Sequence, residues 1–195
     1  MSEAARFSPF APGRAVAYLR AFQSEGLPLV TRHLPLLGYW LTEAGRLNVL
    51  HHLWVYADLD DRAACRARLA ADADWTEGFG PRAFPMIERQ ETLLLAALDE
   101  APRLAAAVAG ARTARPALAE DAPLLGPGWA VLETADAPGE PPDGAEPVGL
   151  WRVAWGERPG TCLRLSRADA AQGVAVQGTA LWRELMRPTA FSPLA

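Results

Sequence analysis

The feature that most constrains the fold is one run of sequence, GYWLTEAGRLNVLHHLWVYAD, from Gly38 to Asp58. Two segments rich in aromatic and branched residues flank Ala44-Gly45-Arg46, and a glycine there supplies the positive φ of a tight turn. The run therefore predicts a β-hairpin. Its second strand stops at Asp58, which can cap a following helix, and Asp60 and Asp61 give that helix an acidic first turn.

The segments around the hairpin complete a recognisable order of elements. Val16, Leu19 and Phe22 recur at helical spacing and predict an amphipathic helix before the hairpin. The segment ARFSPF ahead of it is predicted as a short edge strand, because an edge tolerates Pro9. After Pro85, IERQETLLLAALDE is predicted as a strand, with a helix as the alternative. Strand, helix, strand, strand, helix, strand is the ferredoxin-like plan of an α+β protein.

The second half of the chain repeats the hairpin pattern. GLWRVAWGERPGTCLRLSRAD matches the first hairpin at a constant offset, which pairs Gly38 with Gly149, Trp40 with Trp151 and Gly45 with Gly156. A later match pairs Trp75 with Trp182. These coincidences favour an internal duplication, although units of similar composition can also look alike. The fold class predicted is tandem ferredoxin-like repeats, the second copy degenerate and lacking its first helix.

Composition sets the domain limits and excludes several functions. A segment rich in Pro, Gly and Ala predicts a linker at 112–127 between domains at 1–111 and 128–195. The chain has 23 acidic residues against 19 basic ones, and all the bases are arginine, which excludes Schiff-base lysines and P-loops. The arginines are scattered, so nucleic acid is not expected as a partner. Abundant arginine and alanine suggest a GC-rich bacterial genome.

No apolar run approaches the roughly 18 residues of a membrane span, and the N-terminus lacks the pattern of a signal peptide, so a cytoplasmic location is expected. Cys65 and Cys162 lack metal-ligand spacing, and the three histidines form no metal-binding pattern. No metal and no cofactor are predicted. A single axial histidine is compatible with haem, which therefore stays open.

The hairpin resembles the signature of the NIPSNAP family, a Gly-x-Trp strand, a glycine turn and an Asn/Asp-x-x-x-His-Leu-Trp-x-Tyr strand. These map onto Gly38, Trp40, Gly45, Asn48, His52, Leu53, Trp54 and Tyr56. The resemblance covers roughly residues 6–97, more faintly 128–195, and departs at the short, proline-bearing first strand.

This resemblance implies a dimeric α/β barrel, in which two ferredoxin-like units join their sheets and leave a cleft between sheet and helices. That superfamily includes small monooxygenases, haem-degrading enzymes and polyketide cyclases. NIPSNAP proteins have no settled activity, and the proposals for them concern vesicle traffic and mitochondrial quality control. The resemblance therefore predicts a fold but not a function.

Strand alternation divides the second strand of the hairpin into two faces. One face carries Asn48, Leu50, His52, Trp54 and Tyr56, and the other carries Leu47, Val49, His51, Leu53 and Val55. The second face is the more apolar, so it is expected under the helices, with the His52 face toward the other sheet or a cleft. A turn at Gly45-Arg46 pairs Tyr39 with His52 and Glu43 with Asn48, but a slip of one residue would substitute Trp40 and Thr42.

Two functional hypotheses follow from the His52 face. In the first, a cleft of a few hundred Å³ binds or transforms a hydrophobic small molecule. His52 would then be a general base near neutrality and Tyr56 an electrophilic donor. The binding residues would be Tyr39, Glu43, Asn48 and Trp54. In the second, these side chains are only packing, and the chain is a non-catalytic interaction or scaffold protein.

The offset also predicts one site per chain. At the positions aligned with His52, Trp54 and Tyr56, the second half has Leu163, Leu165 and Arg167. These residues supply neither a titratable base nor an aromatic wall, so the site is expected in the first half alone. Homo-oligomers through outer faces of the barrel stay open.

Overall fold

The computed structural model describes residues 1–7, 10–11, 13–171 and 180–195, with backbone alone for residues 4–7. Its strands are β1 (Ser2–Phe7), β2 (Leu36–Ala44), β3 (Leu50–Val55), β4 (Gln90–Glu100), β5 (Trp129–Ala135), β6 (Glu146–Trp155), β7 (Cys162–Ala168) and β8 (Trp182–Pro188). Its α-helices are α1 (Arg14–Ala21), α2 (Leu27–Thr31), α3 (Leu59–Ala70), α4 (Gly80–Ala83) and α5 (Pro102–Gly110). The π-helical turns Phe22–Gly26 and Asp74–Phe79 and the 3₁₀ turn Phe84–Met86 extend the helical layer.

The first half follows the expected order of elements. β2 and β3 form the predicted hairpin, and the segment after Pro85 is a strand rather than a helix. The Asp58 side chain caps α3 by accepting a hydrogen bond from the Asp61 N–H at 2.8 Å. The edge position expected for the first strand is wrong, because β1 pairs with β3 on one side and β4 on the other. Pro9, the reason for that expectation, lies outside the described residues.

The eight strands form one closed antiparallel barrel in the order β1-β3-β2-β8-β5-β7-β6-β4. The first half contributes β4, β1, β3 and β2 as neighbours, and the second half contributes β8, β5, β7 and β6 in the corresponding order. Two seams, β2 with β8 and β4 with β6, join the halves. The α+β barrel is therefore complete within a single chain.

The hairpins of the two halves differ by one residue in their turns. Residues 45–49 separate β2 from β3, whereas residues 156–161 separate β6 from β7. As a result Trp40 pairs with His51, while Trp151 pairs with Leu163. The constant offset expected from the sequence fails after the turn. By strand pairing, the counterpart of His52 is Arg164 and not Leu163.

The later match between the halves is also wrong. Trp75 lies in a helical turn, whereas Trp182 begins β8, so the two tryptophans occupy different kinds of element. Residues 136–145, between β5 and β6, contain no helix. An internal duplication as the origin of the two halves stays a prediction.

Two apolar cores lie on opposite faces of the sheet. The outer core packs Tyr39, Leu50 and Trp54 against the helices, with Phe22 among the helical contacts. The inner core fills the barrel lumen and includes Trp40, Leu53 and Leu95 from the first half with Trp151, Leu165 and Met186 from the second.

The faces expected for β3 are therefore reversed. Both faces are apolar, so apolar content could not identify the one beneath the helices. The His52 face lies under the helices, whereas the face of His51 and Leu53 points into the lumen. None of the helices in the described ranges has the length and apolar character needed to cross a bilayer.

Candidate functional site

A cleft of about 150 Å³ lies between the outer face of the hairpin and the helical layer. Its inner wall is formed by Tyr18, Tyr39 and His52, all buried. At its rim Trp75 is partly exposed and Phe84 is exposed. The cleft therefore runs from a buried polar centre to solvent along a wall of aromatic rings. It is smaller than the few hundred Å³ expected.

His52 is fixed at this centre by its two aromatic neighbours. Its ring stacks on Tyr39 with centroids 5.2 Å apart and an interplanar angle of 16°. The Trp54 indole Nε1–H donates to His52 Nδ1 at 2.5 Å. Because an indole nitrogen can only donate, Nδ1 must be the unprotonated acceptor. The neutral imidazole therefore carries its hydrogen on Nε2.

The protonation state of His52 differs from the one expected. Burial, with smaller contributions from the neighbouring His51 and Arg66, lowers the pKa of His52 from 6.5 to about 3. A buried imidazole loses hydration that its charged form needs. The expectation of a base near neutrality is therefore corrected, because the ring is neutral and only weakly basic at pH 7. In this tautomer Nε2 carries the N–H donor of the ring.

The tyrosines on the two sides of this centre have different surroundings. Burial raises the pKa of the phenols of Tyr18 and Tyr39 above their usual range. Tyr56 lies outside the cleft lining, near Glu3 and Cys65. Burial raises its pKa, and the negative charge of Glu3 raises it further. A donor role for Tyr56 beside His52 is not supported by this placement.

Two further residues expected at the site lie elsewhere. Glu43 is exposed near the end of β2. Asn48 is in the turn with φ 61°, and its carbonyl accepts a hydrogen bond from the Phe10 N–H at 3.1 Å. Asn48 precedes His52 by four residues, or roughly 13 Å along an extended strand. The structure thus brings together Tyr39, His52 and Trp54.

The helical wall of the cleft was not identified from the sequence. Tyr18 and Phe22 are stacked with centroids 5.8 Å apart, and Phe22 is 5.0 Å from Tyr39. Their spacing of four residues puts them on one helical face, which was the available signal. No helical periodicity connects Trp75 with Phe84. Two glycines and a proline lie between them, and a second proline follows Phe84.

The residues described around the cleft fit neither of two kinds of cofactor, a metal ion and haem. Within the described ranges, no group of three His, Cys, Asp or Glu side chains could hold a metal ion. A cavity of about 150 Å³ is of the size that takes benzene. A haem macrocycle does not fit into a space of that volume.

Comparisons with known proteins agree on the first half of the chain. Residues 8–102 match the family model described as NIPSNAP. The crystal structure of an uncharacterized NIPSNAP domain protein from Burkholderia xenovorans is 37% identical and covers 52% of this chain and 100% of that chain, with a TM-score of 0.47. Protein NipSnap homolog 3A of Homo sapiens is 34% identical over 82 residues, which are 42% of this chain. The match spans 33% of that human protein.

A different solved structure covers both halves. The anthrone oxidase-like protein is 8% identical, with a TM-score of 0.54, over 100% of this chain and 94% of that chain. At this identity the likeness concerns the fold alone. It agrees with the closed barrel formed by one chain.

Proposed function

This chain belongs to the NIPSNAP family, and we propose that it binds a small hydrophobic molecule with a hydrogen-bond acceptor in the cleft beside His52. Solved members of the family are described as uncharacterized or of unknown function, so the support comes from the residues of this chain. The observation that carries the proposal is a neutral, buried imidazole, oriented by Trp54, in the wall of an aromatic cleft.

The dimensions of the cleft limit the ligand to one ring or a short acyl group. A dry cavity of about 150 Å³ takes benzene, and this cleft has that volume. The rings of Phe22, Tyr39 and Trp54 provide the apolar and edge-on contacts that aromatic ligands prefer. A carbonyl or ether oxygen on the ligand would accept the hydrogen bond from His52 Nε2.

Binding is better supported than base catalysis. A general base works best with a pKa near the operating pH, and burial holds the pKa of His52 at about 3. Tyr56 lies away from the cleft, which removes the second catalytic group considered. Within this proposal, His52 positions a ligand through Nε2, while Tyr39 and Trp54 hold its ring in place.

A non-catalytic interaction protein is the second candidate, and one observation favours it. Leu47, Trp155 and Leu181 are exposed by 60%, 69% and 43% at the end of the barrel that carries both hairpin turns. Exposed apolar groups at one end of a molecule are typical of a surface that meets a partner. This surface is separate from the cleft, so the two candidates can be tested independently.

The cleft is tested with acetophenone, a single ring with one acceptor carbonyl, followed by saturation-transfer NMR and calorimetric titration. Val30→Phe places a larger side chain at a buried position of the cleft wall and should abolish saturable binding. The matched control is Val16→Phe, the same substitution at an exposed position of α1, which should bind as the wild type does. His52→Leu should weaken binding about tenfold, the value of one hydrogen bond.

Binding of acetophenone to Val30→Phe with unchanged affinity would place the ligand elsewhere. Absence of saturable binding by the wild type would contradict the cleft proposal. The exposed apolar end of the barrel would then be the better supported functional surface.

A further inference from the structure

A second cavity lies on the opposite face of the sheet, inside the barrel. Its volume is about 80 Å³, and its walls come from both halves of the chain. Trp40 and Trp151 form much of the apolar lining, with Leu163 and Met186 beside them. The sheet lies between this chamber and the cleft, and among the described residues His52 lines both spaces.

The polar side chains in the chamber lining include Glu91, Thr134 and one contacting pair, His51 and Glu184. His51 Nε2 lies 2.9 Å from Glu184 Oε2, and the Glu184 side chain is 1% exposed. The Arg46 backbone N–H, at 3.4 Å, and the Trp182 indole also donate to this carboxylate. Burial alone would raise the pKa of Glu184, but these hydrogen bonds hold it below its usual value. The chamber therefore contains a carboxylate that accepts hydrogen bonds from the Arg46 N–H and the Trp182 indole and lies against the imidazole of His51.

The carboxylate fixes which nitrogen of His51 can accept a hydrogen bond. Because Nε2 faces Glu184, it carries a hydrogen, and Nδ1 is the remaining ring nitrogen. A carboxylate beside one nitrogen of a neutral imidazole orients the ring and leaves the other nitrogen as the acceptor. The chamber thus offers mostly apolar walls, with the imidazole of His51 among its hydrogen-bond acceptors.

Trp182 stands between this chamber and solvent. The Arg46 guanidinium carbon is 4.1 Å from the Trp182 ring centroid, and Trp182 is 36% exposed. An outer cavity of about 90 Å³ lies beyond it, lined by Arg46, Arg158 and Leu181, and Trp182 also lines that cavity. Rotation of this partly exposed indole would join the two spaces into a volume close to the ~150 Å³ that accommodates benzene.

We propose that the barrel lumen is a second ligand site, which takes a small aromatic alcohol of the phenol class past Trp182. The ring would lie among the indoles of Trp40 and Trp151, where aromatic contacts are favourable. The hydroxyl would donate to His51 Nδ1. An anionic ligand is disfavoured, because Glu184 already places a negative charge in the chamber.

The test uses the positions of the methionines. The chain has 3 methionines. Met186 lies in the lumen, and Met86 packs against the outer core on the helical side. With ¹³C-methyl methionine, phenol should shift the Met186 signal saturably and leave the Met86 signal in place. Toluene, which has the ring without the hydroxyl, should bind about tenfold more weakly, the difference expected for one hydrogen bond.

Variants assign the interaction to named residues. His51→Leu should weaken phenol binding about tenfold, to the level of toluene; by strand pairing the second half carries Leu163 at that position. Trp182→Ala should accelerate exchange of phenol at Met186. Trp155→Ala, which truncates an exposed tryptophan outside the lining of the chamber, should leave phenol binding unchanged.

Equal binding of phenol and toluene by the wild type would overturn the role of His51, and this comparison requires no variant to fold. Failure of phenol to shift Met186 in both the wild type and Trp182→Ala would overturn the site. A shift confined to Met86 would do the same, while supporting occupation of the cleft on the other face.

Discussion

The indole of Trp40 lies against the α-carbon of Gly38. A Cβ added to Gly38 would stand 1.9 Å from Trp40 Cη2, a separation that no side chain can adopt. The second half repeats the contact, with 2.4 Å between a Cβ on Gly149 and Trp151 Cη2. Residues two apart on a strand share a face, so the ring folds back over the glycine. The Gly-x-Trp pattern is therefore a packing unit of the lumen.

Replacing Gly38 by alanine should destabilise the fold by about 3 kcal/mol, the upper range for forcing extra volume into a packed core. Gly149→Ala should behave similarly. The control is Gly110→Ala at the end of α5, where an added Cβ meets nothing within 4 Å. That change should stabilise the protein by about 0.5 kcal/mol through reduced entropy of the unfolded chain. Urea unfolding of the three variants measures these differences, and a mild effect at Gly38 would contradict the packing unit.

The free energy of unfolding should decrease as the pH is lowered below 6.5, because His52 is buried in its neutral form. Its pKa is about 3 in the folded protein against 6.5 in an unfolded chain, so the unfolded state binds more protons between these values. The contribution of the neutral ring is complete above pH 6.5 and is lost as the pH falls toward 3. Between pH 6.5 and 5 the loss should be about 2 kcal/mol.

The matched variant for this pH dependence is His52→Gln, whose side chain does not titrate. Chemical unfolding of both proteins at the two pH values isolates the contribution of His52 from that of other groups. Identical pH dependence in the two proteins would show that the imidazole is not held in its neutral form.

Trp54→Phe should allow His52 to adopt both neutral tautomers. The indole Nε1–H donates to His52 Nδ1, and phenylalanine retains a ring without this donor. The expected cost is about 1 kcal/mol of stability. The ¹⁵N shifts of the imidazole should change from one defined Nε2–H tautomer in the wild type to a mixture of both. Trp155→Phe, at an exposed tryptophan, should alter neither property.

The buried carboxylate of Glu3 should contribute strongly to the attachment of α3. Glu3 is fully buried and contacts Arg62 Nε at 2.5 Å and the guanidinium of Arg66. Glu3→Gln should cost about 3 kcal/mol, at the lower end for breaking a buried pair, because both arginines remain partly hydrated. The control is Glu25→Gln, whose partner Arg82 is largely exposed, and its effect should be near zero. Similar losses in the two variants would refute the distinction.

Local features of this fold could be predicted from the sequence, whereas the direction of its faces could not. The hairpin, the Asp58 cap and the core position of Trp40 each depend on neighbouring residues, which a sequence displays directly. The face beneath the helices depends on what packs against it. Because β3 is apolar on both faces, only the closed barrel determines that Leu53 points inward and Trp54 outward.

The candidate site illustrates the same limit. Tyr39 and His52 are cross-strand partners within one hairpin, so their contact follows from turn length. Glu184 reaches His51 from the far end of the chain, and no local pattern connects the two residues. The extra residue in the turn at 156–161 likewise leaves the tryptophan pattern intact and yet moves every later position of β7 to the opposite face.

The seam between β2 and β8 has a consequence for how the chain folds. The two hairpins join residues close in sequence, whereas this seam joins Trp40 to Pro188, near opposite ends of the chain. Loop-closure entropy opposes such a contact until most of the intervening chain is ordered, and folds rich in distant contacts form slowly. The seam should therefore form last and open first. Transient opening there would admit solvent between Trp40 and Met186, and deuterium would reach the amides of β8 before those of β3.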